Sequence, residues 1–299
     1  MFEKWRFDLK INTLTSTKII MIRIREPKVA GAFYPSDKKV LLEQINSLIK
    51  HKFGPKFIKE ENFFGAIVPH AGYIYSGAVK AWVYSKIKKA NYIILGPNHY
   101  GMGAQFAILK EGMWKTPLGE VLIDSKMAQK ILNTCKLVEQ DAIPHEHEHS
   151  IEVQLPFLQF RFDDEFKFVP ISILHPYPSD DFLKKCIEVG KALASCIKAS
   201  DSEWIILASS DFSHYISHRK ATEIDMSLIK TIEKLNEESF FKKLIELNAS
   251  VCGYGPIAVV MSCVKKLGAK KGKLLMYKTS GDITGDKSSV VGYASIIFV

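Results

Sequence analysis

Three histidines follow short apolar runs of the sequence, each within a few residues of the point where the run ends. The runs FFGAIV, YIILG and EWIILAS lead to His70, His99 and His214, respectively. If these runs are parallel strands, their carboxyl ends meet at one edge of the sheet, where open α/β folds bind ligands. Converging imidazoles suit a transition metal. A lone histidine after a strand is more often a hydrogen-bonding loop residue, so this prediction depends on all three together.

Cys252 is a fourth candidate, because it lies in the glycine-rich turn SVCGYGP just ahead of a predicted helix. A cysteine at the amino terminus of a helix has a lowered pKa and can act as a thiolate ligand or a nucleophile. A small side chain packed beneath the turn is an equally good interpretation. The remaining cysteines lie in amphipathic helical patterns and are predicted to be core residues: Cys135, Cys186, Cys196 and Cys263.

The segment PHEHEHSIEVQLP, residues 144–156, contains the string H-E-x-x-H, which binds zinc in metalloproteases when it lies within a helix. The residues before it have no apolar periodicity, and an apolar pattern begins only at Ile151. We therefore predict an exposed loop for His145 and His147, ahead of a helix. A zinc protease is not favoured.

The second half of the same segment is more informative about a site. Ser150 is the predicted helix cap, because serine is a preferred residue at that position. His149 and Glu152 lie next to this cap, and we expect them in the wall of the site.

The elements that must position these residues are strands and helices in alternation. Strands are predicted at residues 63–68, 92–96, 166–174, 203–209, 273–280 and 289–299. Helices are predicted at residues 76–90, with Ser76 as cap, 180–198, 220–235, 238–249 and 256–267. Continuous apolar strands alternating with helices predict an α/β fold with a mainly parallel or mixed central sheet and helices on both faces.

Composition excludes several classes of protein. The 299 residues carry a formal charge of +9, but the lysines occur in pairs and form no basic stripe, so no nucleic-acid partner is predicted. No apolar run approaches the roughly 20 residues of a membrane span. The absence of C-x-x-C pairs and a charged amino terminus, MFEKWRFDLK, together favour the cytoplasm.

The start of the chain differs from the rest. We interpret residues 1–20 as a peripheral extension, with Met21 as an alternative start, and residues 21–299 as a single domain.

Seven motifs in order identify the chain as similar to the Memo family, named for a mediator of ErbB2-driven cell motility. They are REPKVAGAFYP, PHAGYIYSG, ILGPNHYG, TPLGEV, EHSIEVQLPFLQ, SSDFSHY and CGYGPI. The resemblance runs from about Arg25 to the carboxyl terminus. It implies a three-layer α/β/α fold like that of LigB-like class III extradiol dioxygenases, which hold non-haem iron with two histidines and a glutamate.

The resemblance also implies roles for individual residues. The metal ligands, for iron(II) or copper, would be His70, His99 and Cys252. His214, with Asp211 beside it, would occupy the acid/base position of the dioxygenases. The cysteine in place of glutamate argues against extradiol cleavage, because a thiolate favours softer metal states.

The substrate side of the site is predicted from the same motifs. We expect His149, Glu152 and Tyr73 to bind substrate. His218 could share a helical face with His214, but a surface or supporting position is favoured.

Three functions follow for comparison. The first is a metal-dependent oxidoreductase that acts on an unknown substrate. The alternative is a non-catalytic metal- or peptide-binding protein, working in a modification pathway with the Ammecr-type and radical-SAM proteins associated with the family. A weaker third option is a hydrolase with Cys252 as nucleophile and a nearby histidine as base.

Overall fold

The computed structural model describes residues 6–8 and 22–299. The predicted extension at residues 1–20 therefore lies outside the described residues, apart from a short strand that pairs antiparallel with residues 22–25. The domain division at residue 21 and the alternative start at Met21 stay predictions.

The predicted strands and helices are present, and the structure adds elements that the sequence did not predict, among them consecutive strands between residues 106 and 123. The strands are β1 Arg6–Asp8, β2 Ile22–Arg25, β3 Gly65–Val68, β4 Asn91–Pro97, β5 Phe106–Ile108, β6 Met113–Thr116, β7 Gly119–Ile123, β8 Glu139–Gln140, β9 Lys167–Ile173, β10 Trp204–Ser209, β11 His214–Ile216, β12 Gly272–Thr279 and β13 Val290–Phe298. The α-helices are α1 Lys38–Lys50, α2 Tyr73–Tyr84, α3 Ser125–Thr134, α4 Leu155–Phe162, α5 Asp180–Lys198, α6 His218–Glu233, α7 Glu237–Glu246, α8 Tyr254–Leu267 and α9 Ser280–Thr284.

The sheet is mixed, with a parallel centre. Its main path runs β1-β2-β6-β7-β9-β4-β10-β3-β13-β11. Strands β9, β4, β10 and β3 are parallel to one another, whereas β13 runs antiparallel to β3. The four parallel strands therefore end at the same edge, which places the residues that follow them side by side.

Both faces of the central strands β3, β4, β9 and β10 are buried, as their continuous apolar sequences predict. Along β10, Ile206 and Ala208 join one hydrophobic cluster with α3, α5, α6, α7 and α8. Ile205 and Leu207, on the opposite face, join a second cluster with α1, α2 and α4. The predicted three-layer α/β/α architecture is confirmed.

Helix α5 begins and ends at the predicted residues, and its Ser179 side chain caps it by accepting from the backbone N–H of Phe182. Helix α2 differs from the prediction. It begins at Tyr73 after Gly72, and Ser76 lies inside it, where its hydroxyl donates to the carbonyl of Ala71. The prediction of Ser76 as cap was wrong because the helix extends three residues further toward the strand.

Residues 143–154 contain only two short 3₁₀ turns, Ile143–His145 and Glu152–Gln154, before α4. The string H-E-x-x-H therefore does not lie in an α-helix, which confirms the prediction. Ser150 caps neither the second turn nor α4, and its hydroxyl donates instead to the carbonyl of Pro97. The prediction of Ser150 as cap was wrong because the chain enters α4 through the 3₁₀ turn.

His145 also departs from the prediction of an exposed loop, since it is fully buried and one ring nitrogen, Nε2, hydrogen-bonds the carbonyl of Ala107. His147 is exposed as expected. Among the described residues, no helix combines the length and apolar character needed to cross a membrane.

Candidate metal centre and cavity

The carboxyl ends of β3 and β4 and the turn before α8 bring three predicted metal ligands together. The ring centroids of His70 and His99 are 5.2 Å apart. The Cys252 Sγ atom lies 3.1 Å from His70 Nε2. One donor atom from each of the three residues lies within 4.8 Å of the other two. Residues up to 182 positions apart thus form one cluster.

The donor set fits a transition-metal ion. Protein ligands to zinc lie at about 2.0–2.1 Å for nitrogen and about 2.3 Å for sulfur, so donors that share a tetrahedral ion are about 3.4–3.6 Å apart. The separations in the cluster, 3.1 Å to at most 4.8 Å, bracket that spacing. Two imidazoles with a thiolate suit iron or copper as well as zinc.

The tautomer of His70 follows from its neighbours. The Ser209 hydroxyl donates its single proton to the carbonyl of Ser150 at 2.7 Å. The same hydroxyl oxygen accepts from the side-chain amide of Gln154 at 2.8 Å, and it lies 3.0 Å from His70 Nδ1. His70 Nδ1 must therefore carry the proton. The unprotonated Nε2 atom faces Cys252.

His99 is held by a carboxylate instead. Its Nδ1 atom lies 3.0 Å and 3.1 Å from the two oxygens of Glu148, which also accepts from the backbone N–H of His99 at 2.8 Å. Burial alone would lower the pKa of His99, but the hydrogen bond and charge of Glu148 raise it. Burial alone would raise the pKa of Glu148, but His99 lowers it to about 2.

Cys252 differs from the sequence-based expectation of a lowered pKa. Its thiol lies between His70 and the backbone of Asp211, whose N–H donates to Sγ at 3.2 Å. Burial, with the nearby Asp211 carboxylate, raises the pKa of the thiol well above its usual value. Cys252 precedes α8 beyond its cap residue, Gly253, so the helix terminus does not dominate. The metal-free thiol is protonated at neutral pH.

His149 is a third imidazole at the same place. Its ring stacks on that of His99, with ring centroids 4.9 Å apart and an interplanar angle of 16°, and meets the His70 ring edge-on at a centroid distance of 5.4 Å. The Phe33 ring also packs against it, with a centroid distance of 4.7 Å. Burial lowers the pKa of His149 to about 4, so the ring is neutral. It lines the cavity in front of the cluster.

Asp211 and His214 follow β10. The Asp211 carboxylate accepts from the backbone N–H of His70 at 2.8 Å and of Ala71 at 3.4 Å, and burial raises its pKa. His214 Nδ1 lies 2.7 Å from the carbonyl of Ser250, to which it must donate. Nε2 of His214 is therefore free to accept a proton.

These groups open into a cavity of about 840 Å³. Its described lining contains four histidines, four other aromatic residues and two aspartates, with no lysine or arginine. The lining residues are Phe33, His70, Ala71, Gly72, Tyr75, His99, His149, Asp211, His214, Tyr215, Cys252, Ser280, Thr284, Asp286, Ser289, Val291 and Tyr293. Such a cavity suits an uncharged or cationic organic ligand.

Two residues predicted to bind substrate lie outside the lining. Tyr73 is fully buried, and its hydroxyl donates to the carbonyl of Val153. Glu152 is fully buried beside Arg25. We do not propose either as a ligand contact, because packing and ion pairing turn both side chains away from the cavity.

Arg25, at the end of β2, connects that strand to the segment that contains Glu148 through side-chain hydrogen bonds. Its guanidinium donates to Glu152 at 2.6 Å, to the carbonyl of His145 at 2.6 Å and to that of Glu148 at 2.7 Å. It also lies 4.1 Å from the ring centroid of Trp114. Arg25 thus holds the backbone of the segment that contains Glu148 in place.

Glu152 is the other half of that anchor. Besides Arg25, it accepts from the backbone N–H groups of Lys28 and Val29 and from the hydroxyl of Tyr34. Arg25, Lys28, Val29 and Tyr34 of the motif REPKVAGAFYP thus support the segment behind the cluster, and Phe33 of the same motif lines the cavity.

Two further histidines lie near the site but not in its lining. His175 follows β9, and its Nδ1 donates to the carbonyl of Ile173. It follows a strand as His70 and His99 do, but it was not among the residues predicted for the site. His218 opens α6, whereas His214 is in β11, so they share no helical face, and His218 pairs with Thr279.

The remaining cysteines confirm the core prediction, since all four are buried with free thiols: Cys135, Cys186, Cys196 and Cys263. The sequence did not predict the buried partners of His70 and His99, which are Ser209 and Glu148. It also did not predict the tyrosines of the cavity lining, Tyr75, Tyr215 and Tyr293.

Comparison with known proteins agrees with the motifs. A family described as Memo-like protein matches residues 25–297. A MEMO1 family protein of Nitrosopumilus maritimus is 45% identical over 281 residues, covering 92% of this chain and 100% of the relative. One from Pyrobaculum arsenaticum is 43% identical over 285 residues, covering 93% and 99%.

A solved structure gives a weaker match. An uncharacterized protein of Escherichia coli K12 is 13% identical, with a TM-score of 0.47 over 79% of this chain and 99% of that chain. A similarity this low supports no inference about the site.

Proposed function

The chain belongs to the Memo family, and we propose that it is a metal-dependent oxidoreductase acting on a small organic molecule. One observation carries the proposal: two imidazoles and a thiol converge at the inner end of a large cavity. The partners of the two imidazoles favour a proton on Nδ1, so that each ring would offer Nε2 to an ion. This arrangement supports the proposal of a metal site.

His70, His99 and Cys252 would hold iron(II) or copper. Such an ion, when bound, supplies one-electron redox chemistry and binding of the substrate's donor atoms. The thiolate favours a softer ion than the carboxylate of the extradiol dioxygenases would.

The surrounding residues supply proton transfer and orientation. His214 keeps Nε2 free at the cavity wall and is the general base that we propose. Asp211 orients the backbone of His70 and Ala71 through its carboxylate. His149, neutral and stacked on His99, presents a polar edge toward a bound molecule.

The lining favours an aromatic ligand without negative charge. Phe33, Tyr75, Tyr215 and Tyr293 supply apolar surface and hydroxyl groups, and Asp286 supplies a negative charge on the exposed side. Because the described lining has no lysine or arginine, an anionic group remote from the metal would find no partner.

The test is turnover together with metal content. Protein prepared without oxygen and loaded with iron(II) or copper is expected to consume oxygen with phenolic or catecholic substrates. His214→Gln should lower turnover and keep the metal, whereas exposed His147→Gln should change neither. Full metal loading without any metal-dependent turnover would overturn the proposal.

A second candidate is a binding protein without chemistry, favoured by the exposure of the outer aromatic residues. Tyr215 is 78% exposed and Tyr75 is 39% exposed, which leaves room for a peptide or a partner such as the Ammecr-type and radical-SAM proteins. Co-purification that persists in His214→Gln and in metal-site variants would support this alternative.

We place either function in the cytoplasm, because the cysteines are free thiols.

A hydrolase with Cys252 as nucleophile is less well supported. His70 lies close enough to act as base, but the raised pKa of the thiol opposes thiolate formation. Protection of Cys252 from alkylation by bound metal would favour the oxidoreductase or the binding protein.

A further inference from the structure

We propose that Glu148 is the positioning residue of the metal centre. Its carboxylate retains the proton on Nδ1 of His99, so that His99 offers only Nε2 to an ion. The inference rests on the proposed metal-binding function and adds a residue that contacts neither the ion nor the substrate.

The carboxylate is fixed more firmly than the ring that it orients. Glu148 is fully buried. One oxygen accepts from the backbone N–H of Ser150 at 2.8 Å, and the other from the backbone N–H of His99 at 2.8 Å. Backbone donors cannot rotate away, so the carboxylate keeps its place and the His99 ring adapts to it.

A second ion on the carboxylate is the competing interpretation. His99, Glu148 and His149 also place one donor atom each within 4.8 Å of one another. Each Glu148 oxygen, however, already accepts a backbone N–H group and lies within hydrogen-bonding distance of His99 Nδ1, which leaves little lone-pair capacity for an ion. The contacts therefore favour a supporting carboxylate over a direct ligand.

The contrast with His70 shows what the charge adds. Ser209 gives His70 the same tautomer through a neutral hydroxyl. Glu148 instead places a full negative charge beside Nδ1 of His99, which makes Nε2 of that ring a stronger electron donor. Losing Glu148 should therefore weaken the ion's bond to His99 as well as loosen the ring.

The full-length Glu148→Gln variant tests the proposal, with Co²⁺ alone as the probe. Glutamine has the size of glutamate, but its amide N–H group would face a hydrogen-bond donor that the carboxylate accepts from. Carboxylates in this role typically account for about 10–100-fold in metal affinity, and we expect a loss in that range in competition with a chelator. The cobalt–thiolate absorption of Cys252 should return at saturating Co²⁺.

The tautomers provide a readout that general destabilisation would not move. Long-range ¹H–¹⁵N spectra of the metal-free protein should show His99 protonated on Nδ1 in the wild type and as a mixture in Glu148→Gln. His70 should not change. Ser209→Ala is the matched control and should affect His70 but not His99. If Glu148→Gln does not fold, Glu148→Asp, which keeps the charge but shortens the reach, carries the same comparison.

Three outcomes decide the matter. Unchanged Co²⁺ affinity with an unchanged His99 tautomer would overturn the proposal. Binding of two ions in the wild type, with only one lost in Glu148→Gln, would identify a second metal site instead. If the wild type bound no Co²⁺ but the His99 tautomer still depended on Glu148, the metal function would fail and the orienting contact would be supported.

Discussion

The inner and outer halves of the cavity are built differently. The inner half, defined by His70, His99 and Cys252, is held by hydrogen bonds to buried partners. The outer half, defined by Tyr75, Tyr215 and Asp286, consists of exposed side chains. Tyr215 also has φ of 58°, a left-handed conformation that is strained for a non-glycine residue.

The difference separates two tasks. A fixed inner half suits a small ion of defined geometry, because preorganised donors lose little entropy on binding. An outer half with few constraints can accommodate ligands of different shape. Changes in the inner half should therefore act on metal binding and stability, and changes in the outer half on ligand affinity alone.

Breaking the anchor behind the inner half should have the largest effect. Arg25→Met leaves the buried Glu152 carboxylate without its cation and should destabilise the fold by about 3–5 kcal/mol, measured by chemical denaturation. Arg25→Met combined with Glu152→Gln should recover part of that loss, because glutamine removes the unpaired charge and keeps an acceptor for Lys28, Val29 and Tyr34. A single variant as stable as the wild type would show that the inner half does not need this support.

Removing one inner donor should come next. Cys252→Ala should weaken Co²⁺ or iron(II) binding by more than about 100-fold, since loss of a direct ligand exceeds loss of a supporting group. Cys263→Ala, a buried cysteine in the core, is the control and should bind metal normally. Equal affinity in the two variants would remove Cys252 from the centre.

The pH dependence of metal binding should sharpen the comparison further. Because burial raises the pKa of Cys252, an ion must displace the thiol proton, and affinity should rise with pH by about tenfold per unit. Below the raised pKa of His99 a second proton competes, so the slope should steepen in acid. Calorimetry in buffers of different ionisation enthalpy counts the protons released. Affinity independent of pH would contradict this account of the inner half.

The smallest effect is expected in the outer half. Tyr215→Ala should weaken binding of tyramine several-fold, because an exposed aromatic contact contributes about 0.5–1.5 kcal/mol. Metal affinity should not change. The anionic analogue 3-(4-hydroxyphenyl)propionate should bind more weakly than tyramine in both proteins. A simultaneous loss of metal affinity would show that the two halves are coupled.

Much of the fold and the inner half was predictable from local pattern. Apolar runs mark β3, β4 and β10, and the topology of parallel strands brings His70 and His99 together. The Memo motifs added Cys252, which local pattern left undecided between ligand and packing residue. Apolar runs and family motifs are both contained in short stretches of sequence, so they can be recognised without the structure.

The supporting residues were not predictable in the same way. Glu146 and Glu148 alternate with histidines in one string, yet only Glu148 is fully buried. Glu152 was expected at the substrate, but it pairs with Arg25, 127 positions away. Burial and partners at such distances depend on the completed fold.

The separation of 182 positions between His70 and Cys252 has a consequence for how the centre is made. Contacts this distant in sequence form late, because closing a long loop costs entropy before the contact is gained. We therefore expect an ion to bind the cluster only after the chain has folded, and a bound ion would raise the stability of the folded chain in proportion to the logarithm of the free metal concentration.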